Sequence, residues 1–180
     1  MRIAIITENF LPKRDGVTRT IDMLLEHLQA HEQPAIVFAP EGSPSYHRGA
    51  RVIGVHGVPI PIYPELRFLF PRRAMGEQLA RFNPDIIHLA DPMLLGMTGL
   101  YWGKRMGVPV VAAYHTNIAD YMRDFHLSAL TGTVWRYRRF LHNQSAATLV
   151  PSPSTAAVLK RQGFHNIHLW PRGVDSQLFS

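Results

Sequence analysis

Apolar and polar positions follow two rhythms along the chain. Short β-branched or aliphatic runs recur at "RIAIIT" (2–7), "PAIVFAP" (34–40), "ARVIGVHGV" (50–58), "DIIHLAD" (85–91), "VPVVAAYH" (108–115), "AATLVPS" (146–152) and "NIHLW" (166–170). Most of them lack a period of two, as strands covered on both faces do. Between the first two runs, Ile21, Leu24, Leu25 and Leu28 keep the i, i+3, i+4, i+7 spacing of an amphipathic helix, which predicts helix over 17–30. Further helices are predicted over 72–82, 94–106, 131–143 and 154–162, the last behind the cap-forming "SPST". Strands alternating with helices predict an α/β fold, a Rossmann-like, doubly wound and mostly parallel sheet of about seven strands. One segment breaks the rhythm. "GVPIPIYPELRFLFPRR" (57–73) carries four prolines and several bulky apolar residues, and reads as a long irregular insertion of the functional or interfacial kind.

Composition adds bounds to this outline. With 180 residues, 46% hydrophobic and 18% charged, the chain is one globular domain with no need of a covalent staple. It has no cysteine, which excludes disulfides, thiolate metal sites and thiolate nucleophiles. No apolar run approaches the roughly 20 residues that cross a bilayer, and "MRIAIITENF" turns polar too early for a signal peptide, so a cytoplasmic location is expected. The net charge of +6 and pI near 10.1 favour an anionic partner: nucleic acid, a phosphorylated substrate or an acidic membrane surface. Nucleic acid ranks lowest, because neither a stacking platform nor a helix-turn-helix pattern accompanies the charge.

In a doubly wound sheet ligands bind beyond the carboxyl ends of the strands. The residues there are Glu8, Asn9 and Gly16, then Asp91 and Pro92, His115 and Thr116, Ser152 and Ser154, and Arg172 and Gly173. The first strand leads into "TENFLPKRDGVTRT", and neither G-x-G-x-x-G nor G-x-x-x-x-G-K-[ST] occurs, which argues against a dinucleotide enzyme and a P-loop NTPase. Gly16 opens the first predicted helix, either as a turn glycine or as a position where a phosphate approaches helix N-terminal amides. His115 and Asp91 end adjacent strands and are expected at one edge, whereas His88, inside its strand, is expected to point elsewhere. No H-E-x-x-H pattern supports a metal site. Arg67, Arg72 and Arg73 flank Phe68, Leu69 and Phe70, an apolar wedge beside cations that suits an anionic membrane. Arg136, Arg138 and Arg139 form a second basic cluster, with Arg136 and Arg139 turned away from the face of Val134, Tyr137 and Leu141; a solvated helix exterior accounts for it.

Five segments, "TENFLPKRDGVTRTI", "NPDIIHLADPMLLG", "VVAAYHTNIADY", "LVPSPSTAAVLKRQG" and "RGVDSQLF", together resemble in order and spacing the N-terminal half of family 4 glycosyltransferases, retaining enzymes of the GT-B fold. The loop "IYPELRFLFP" is most similar to members that transfer sugars to lipids, of the sulfoquinovosyl diacylglycerol synthase or α-mannosyltransferase type. The resemblance implies an acceptor-side domain over 1–170 and the start of an interdomain linker over 171–180. A nucleotide-sugar donor domain is then expected outside this chain; its E-x7-E pattern is absent here, no two glutamates being eight residues apart. It further implies that His115 is the catalytic histidine near the transferred sugar. Gly16 falls in the donor-phosphate loop with Asp15, Glu8 and Asn9, Asp15 standing where the family usually has another glycine. Asp91, Thr116, Tyr121 and Ser154 fall on the acceptor cleft, and Arg67, Phe70, Arg72 and Arg73 on a membrane or acceptor loop.

The implied reaction moves a sugar from a nucleoside diphosphate to an acceptor hydroxyl, on a sugar or a lipid, with retention of configuration. No cofactor or metal is implied, the nucleotide sugar being substrate, and peripheral attachment to an anionic membrane is expected. Two alternatives stay open at this level. One is half of a sugar-nucleotide 2-epimerase, which needs acid and base carboxylates where the strand ends offer few beyond Glu8 and Asp91. The other is a non-catalytic module for membrane docking or ligand binding.

Overall fold

The computed structural model describes the backbone of residues 1–60, 63–69, 73–90, 92–115 and 131–171, and the side chains of the same residues outside 58–69. Ten strands and five helices are named here in chain order among them. They are β1 (Ile3–Thr7), α1 (Gly16–Ala30), β2 (Ala35–Pro40), β3 (Tyr46–His47), β4 (Ala50–Val55), β5 (Gly57–Ile60), β6 (Tyr63–Leu69), α2 (Arg73–Phe82), β7 (Ile86–Ala90), α3 (Leu94–Met106), β8 (Val110–Ala113), α4 (Thr131–Asn143), β9 (Ala147–Val150), α5 (Pro153–Arg161) and β10 (Ile167–Leu169).

Eight strands form one sheet in the order β10-β9-β8-β7-β1-β2-β4-β3. Every pairing is parallel except β3 with β4. β1 lies inside this order with all five residues buried, which is why its sequence shows no alternation. Its side chains divide between two cores. Ala4 and Ile6 join Ile87, Leu89, Val110 and Ala112 beneath α2, α3 and α4, which contribute Met75, Leu79, Leu95 and Leu141. Ile3 and Ile5 join Val37, Ala39, Val52 and Ala90 against Val17, Ile21, Leu25 and Leu28 of α1. A smaller third core packs Tyr114, Val150, Leu159 and Phe164 near α5.

Two sequence expectations are corrected. The eighth strand, β3, is only two residues long and antiparallel, too short to leave a periodic signal. The predicted run 50–58 ends at Val55, and the supposed irregular insertion begins with an antiparallel hairpin, β5 with β6. Its register shifts between Pro59 and Ile60, where a proline without an N–H cannot continue the ladder. Prolines at such a bulge hide the strand pattern from a reading of the sequence.

The loop after β1 is tied down by local hydrogen bonds. Asp15 is the N-cap of α1, its Oδ1 accepting from the Thr18 amide at 2.8 Å, and Lys13 lies 3.6 Å from its other oxygen. The expected glycine is therefore replaced by a residue that satisfies an otherwise orphaned helix amide. Far from this edge, Arg48 and His47 hold Asp22 of α1, with Arg48 Nε and His47 Nε2 at 3.0 and 2.6 Å from Asp22 Oδ1.

Candidate functional site at the carboxyl edge

The carboxyl ends of β1, β7, β8 and β9 bring several of the expected residues to one edge. A cavity of about 260 Å³ opens there, lined by Tyr114, His115, Pro151, Ser154, Thr155, Val158 and Leu159. His115 and Ser154, far apart in sequence, thus share one recess. Complete small-molecule sites occupy roughly 300–1,000 Å³, so this recess suits one ring or group of a larger ligand.

Hydroxyls cluster on its α5 side. Ser152 caps the helix, Oγ accepting from the Thr155 amide at 3.2 Å, and lies 2.8 Å from Ser154 Oγ and 2.9 Å from Thr155 Oγ1. The helix start adds a positive dipole end. Behind His115, Tyr114 is buried, with the guanidinium of Arg138 4.3 Å from its ring centre and Phe164 edge-on at 6.2 Å. Such a buried cation over an aromatic face fixes the strand end that carries His115. Arg138 is 1% exposed, so the solvated-exterior reading of the second basic cluster applies to Arg136 and Arg139 and not to Arg138. Helical periodicity cannot foresee an arginine drawn inward by a tyrosine of another element.

Glu8 does something the sequence reading missed. Its Oε1 accepts from the amides of Met93 and Leu95 at 2.7 and 2.9 Å, capping α3, whose own N-cap residue Met93 offers no side-chain acceptor. The Tyr137 hydroxyl donates to Met93 O at 2.5 Å from the other side. Burial, with Glu8 nearby, pushes the Tyr137 pKa up to about 12, so it stays a neutral donor. Asn9 accepts from Lys13 Nζ at 3.2 Å and, through its backbone, from Thr7 Oγ1 at 2.7 Å. Gly16 is the first residue of α1, beside the Asp15 cap.

His88 departs from expectation. It is buried, and its ring meets Trp170 edge to face at 5.6 Å, while His115 lies 6.0 Å from the same indole. It thus faces the side of His115 rather than away. Burial first, and His115 second, lower its pKa to about 4.

Asp91, Thr116, Tyr121, Phe70, Arg72 and the segment 172–180 lie outside the described residues. Arg67 belongs to β6, with its backbone opposite Pro59. Arg73 opens α2 with its side chain 93% exposed and 3.7 Å from Glu77. Among the described residues no group of three or more His, Asp or Glu could hold a metal ion, and no helix is long and apolar enough to cross a membrane. His27 and His31 do have the spacing H-x-x-x-H, but their rings stack at 4.1 Å, and His31 Nδ1 lies 2.8 Å from His27 O at the C-cap of α1.

A parallel doubly wound sheet with its polar recess at the carboxyl edge is the architecture of one half of the GT-B glycosyltransferases. The crystal structure of HepE from Anabaena in complex with UDP superposes with a TM-score of 0.69 at 14% identity, over 99% of this chain and 46% of that one. The chain belongs to Glycosyltransferase Family 4, whose sequence pattern matches residues 14–178. It is 37% identical over 186 aligned positions to a GDP-mannose-dependent alpha-mannosyltransferase of Mycobacterium tuberculosis, covering 100% of this chain and 49% of the relative. It is also 36% identical to a sulfoquinovosyl transferase of Arabidopsis thaliana, over 83% of this chain and 30% of that protein. The chain spans about half the length of the mannosyltransferase relatives it matches.

Proposed function

We propose that this chain forms the acceptor-side wall of a retaining glycosyltransferase that moves a sugar from a nucleoside-diphosphate sugar to an acceptor hydroxyl. The observation that carries this is the recess lined by His115 together with Ser154 and Thr155, in a chain of Glycosyltransferase Family 4. Sugar transfer develops positive charge on the ring and negative charge on the departing diphosphate. An imidazole and hydroxyls at this edge orient sugar hydroxyls, and a dipole fixed before reaction stabilises charge without reorganisation. The diphosphate would be gripped mainly by a second, donor-side domain.

A lipid acceptor is favoured by the likeness of "IYPELRFLFP" (62–71) to lipid sugar transferases and by the exposed cation at Arg73. A sugar-nucleotide 2-epimerase is less well supported. Glu8, one of the few strand-end carboxylates, already bonds two helix amides and is poorly placed to exchange protons with a substrate.

The test uses the complete protein with labelled GDP-mannose and UDP-sugars, with lipid vesicles or soluble sugars as acceptors. Transfer of label, reduced about 100-fold or more by His115→Ala, is expected. Full turnover in that variant would remove His115 from the mechanism, and epimerised donor without any transfer would replace the transferase reading.

A further inference from the structure

Three aromatic rings from separate strands meet behind the recess. His88 lies within β7, opposite Ile5 of β1 and Val111 of β8, and is 6% exposed. Its Nε2 is buried and makes no hydrogen bond among the described residues, although buried polar atoms are ordinarily satisfied. A buried histidine in this condition needs a reason beyond its own strand.

Its ring neighbour is Trp170, edge to face at 5.6 Å and 84°. The Trp170 amide donates to Val150 O at 2.8 Å, so the residue extends the β10–β9 ladder by one position. From that sheet-edge strand, the indole reaches a histidine three strands inward in the order β10-β9-β8-β7. Two alanines leave room for it: Ala90 and Ala113 stand in register across β7 and β8 at this end of the sheet. The second ring on the indole is that of His115, at 6.0 Å and 54°.

We infer that Trp170 is the positioning residue for His115, with His88 as the buried neighbour that holds the indole in place. His115 follows the last residue of β8 by two positions and stands one position past the Tyr114 amide, which donates to Leu149 O at 2.8 Å. His115 lines the cavity, and its ring lies tilted against the indole, 6.0 Å away at 54°. Aromatic pairs prefer edge-to-face and offset contacts, so the trio favours one orientation of each ring over free rotation. Reacting groups must be held close to their productive geometry, and a displacement of about 1 Å costs on the order of 100-fold in rate.

The functional consequence rests on the sugar-transfer reading, whereas the ring arrangement does not, and two measurements separate them. The first is NMR of the histidine-labelled 180-residue chain. Upfield shifts and cross-relaxation between the indole of Trp170 and the carbon-bound ring protons of both His88 and His115 are expected. Trp170→Ala should abolish both sets, and Trp170→Phe should retain part of them. Unchanged His115 signals in a folded Trp170→Ala chain would overturn the inference. If Trp170→Ala does not fold, Trp170→Leu and Trp170→Phe make the same comparison.

The second is kinetics of the complete protein. Trp170→Ala is expected to lower kcat about tenfold or more with donor KM nearly unchanged, and Trp170→Phe to restore much of it. Added to His115→Ala, it should cost nothing further, because Trp170 acts only through that ring. Independent, additive losses would reduce Trp170 to a packing residue. Absence of any sugar transfer would instead overturn the proposed function, leaving the positioning of His115 to be decided by the NMR result.

Discussion

At the scale of single residues, two of the acids expected to meet a ligand, Asp15 and Glu8, are engaged by the fold. Asp15 caps α1 and Glu8 caps α3, each satisfying amides that the helix geometry leaves open. Asp15→Ala is therefore expected to cost about 1 kcal/mol, lowering the melting temperature by roughly 2–4 °C, while Asp15→Asn keeps most of the cap; differential scanning calorimetry checks both. His88 makes a second, pH-dependent prediction. Its pKa is lowered from 6.5 to about 4, so the unfolded chain binds its proton more readily than the folded one. The stability it supports is fully present above pH 6.5 and is lost as pH falls through about 4; between those limits it amounts to about 3 kcal/mol. Urea unfolding at pH 7 and pH 4 should show a steeper loss for the native chain than for His88→Leu. Equal pH slopes would mean that His88 reaches water in the folded state.

At the scale of elements, the helix predicted over 17–30 spans Gly16–Ala30, and those over 94–106 and 131–143 have the expected limits. Their apolar spacing is a local property, legible without knowing the partner face. What α3 packs against was less visible, because its contact surface is made partly of glycine. A Cβ at Gly103 would stand 2.3 Å from Val110 Cγ2 and 3.1 Å from the Val108 carbonyl, so helix and strand approach more closely than any side chain permits. At Gly132 of α4 a Cβ would meet nothing within 4 Å. Gly103→Ala should thus destabilise by about 2 kcal/mol, since β-branched Val110 has little freedom to move aside. Gly132→Ala should be neutral or stabilising by up to about 1 kcal/mol, through helix propensity alone. Chemical denaturation of the two variants side by side makes the comparison, and equal effects would show that α3 can lift from the sheet.

At the scale of the whole molecule, the charge of +6 gains meaning from where cations stand. Buried Arg138 serves the fold, and Arg48 is paired with Asp22 and Glu26, so neither counts as an open binding charge. Arg73, 93% exposed at the start of α2, has a long 3.7 Å pairing with Glu77 that an anionic surface could replace. Vesicles rich in anionic lipid should sediment the chain at low ionic strength, less so in high salt, and much less after Arg72→Glu with Arg73→Glu. Binding that survives the charge reversal would remove this segment from membrane attachment.

The sequence by itself determined the α/β class, the order of strands and helices, and the likeness to family 4 glycosyltransferases, because these rest on spacing within a few residues and on motifs in order. Tertiary structure decided which polar groups remain available to a ligand. Glu8 and Met93 meet only when β1 and α3 are packed together, and His88, His115 and Trp170 meet only across four aligned strands. No periodicity encodes such contacts, since each depends on the register of one strand against the next and on the small side chains that let a large ring pass over them.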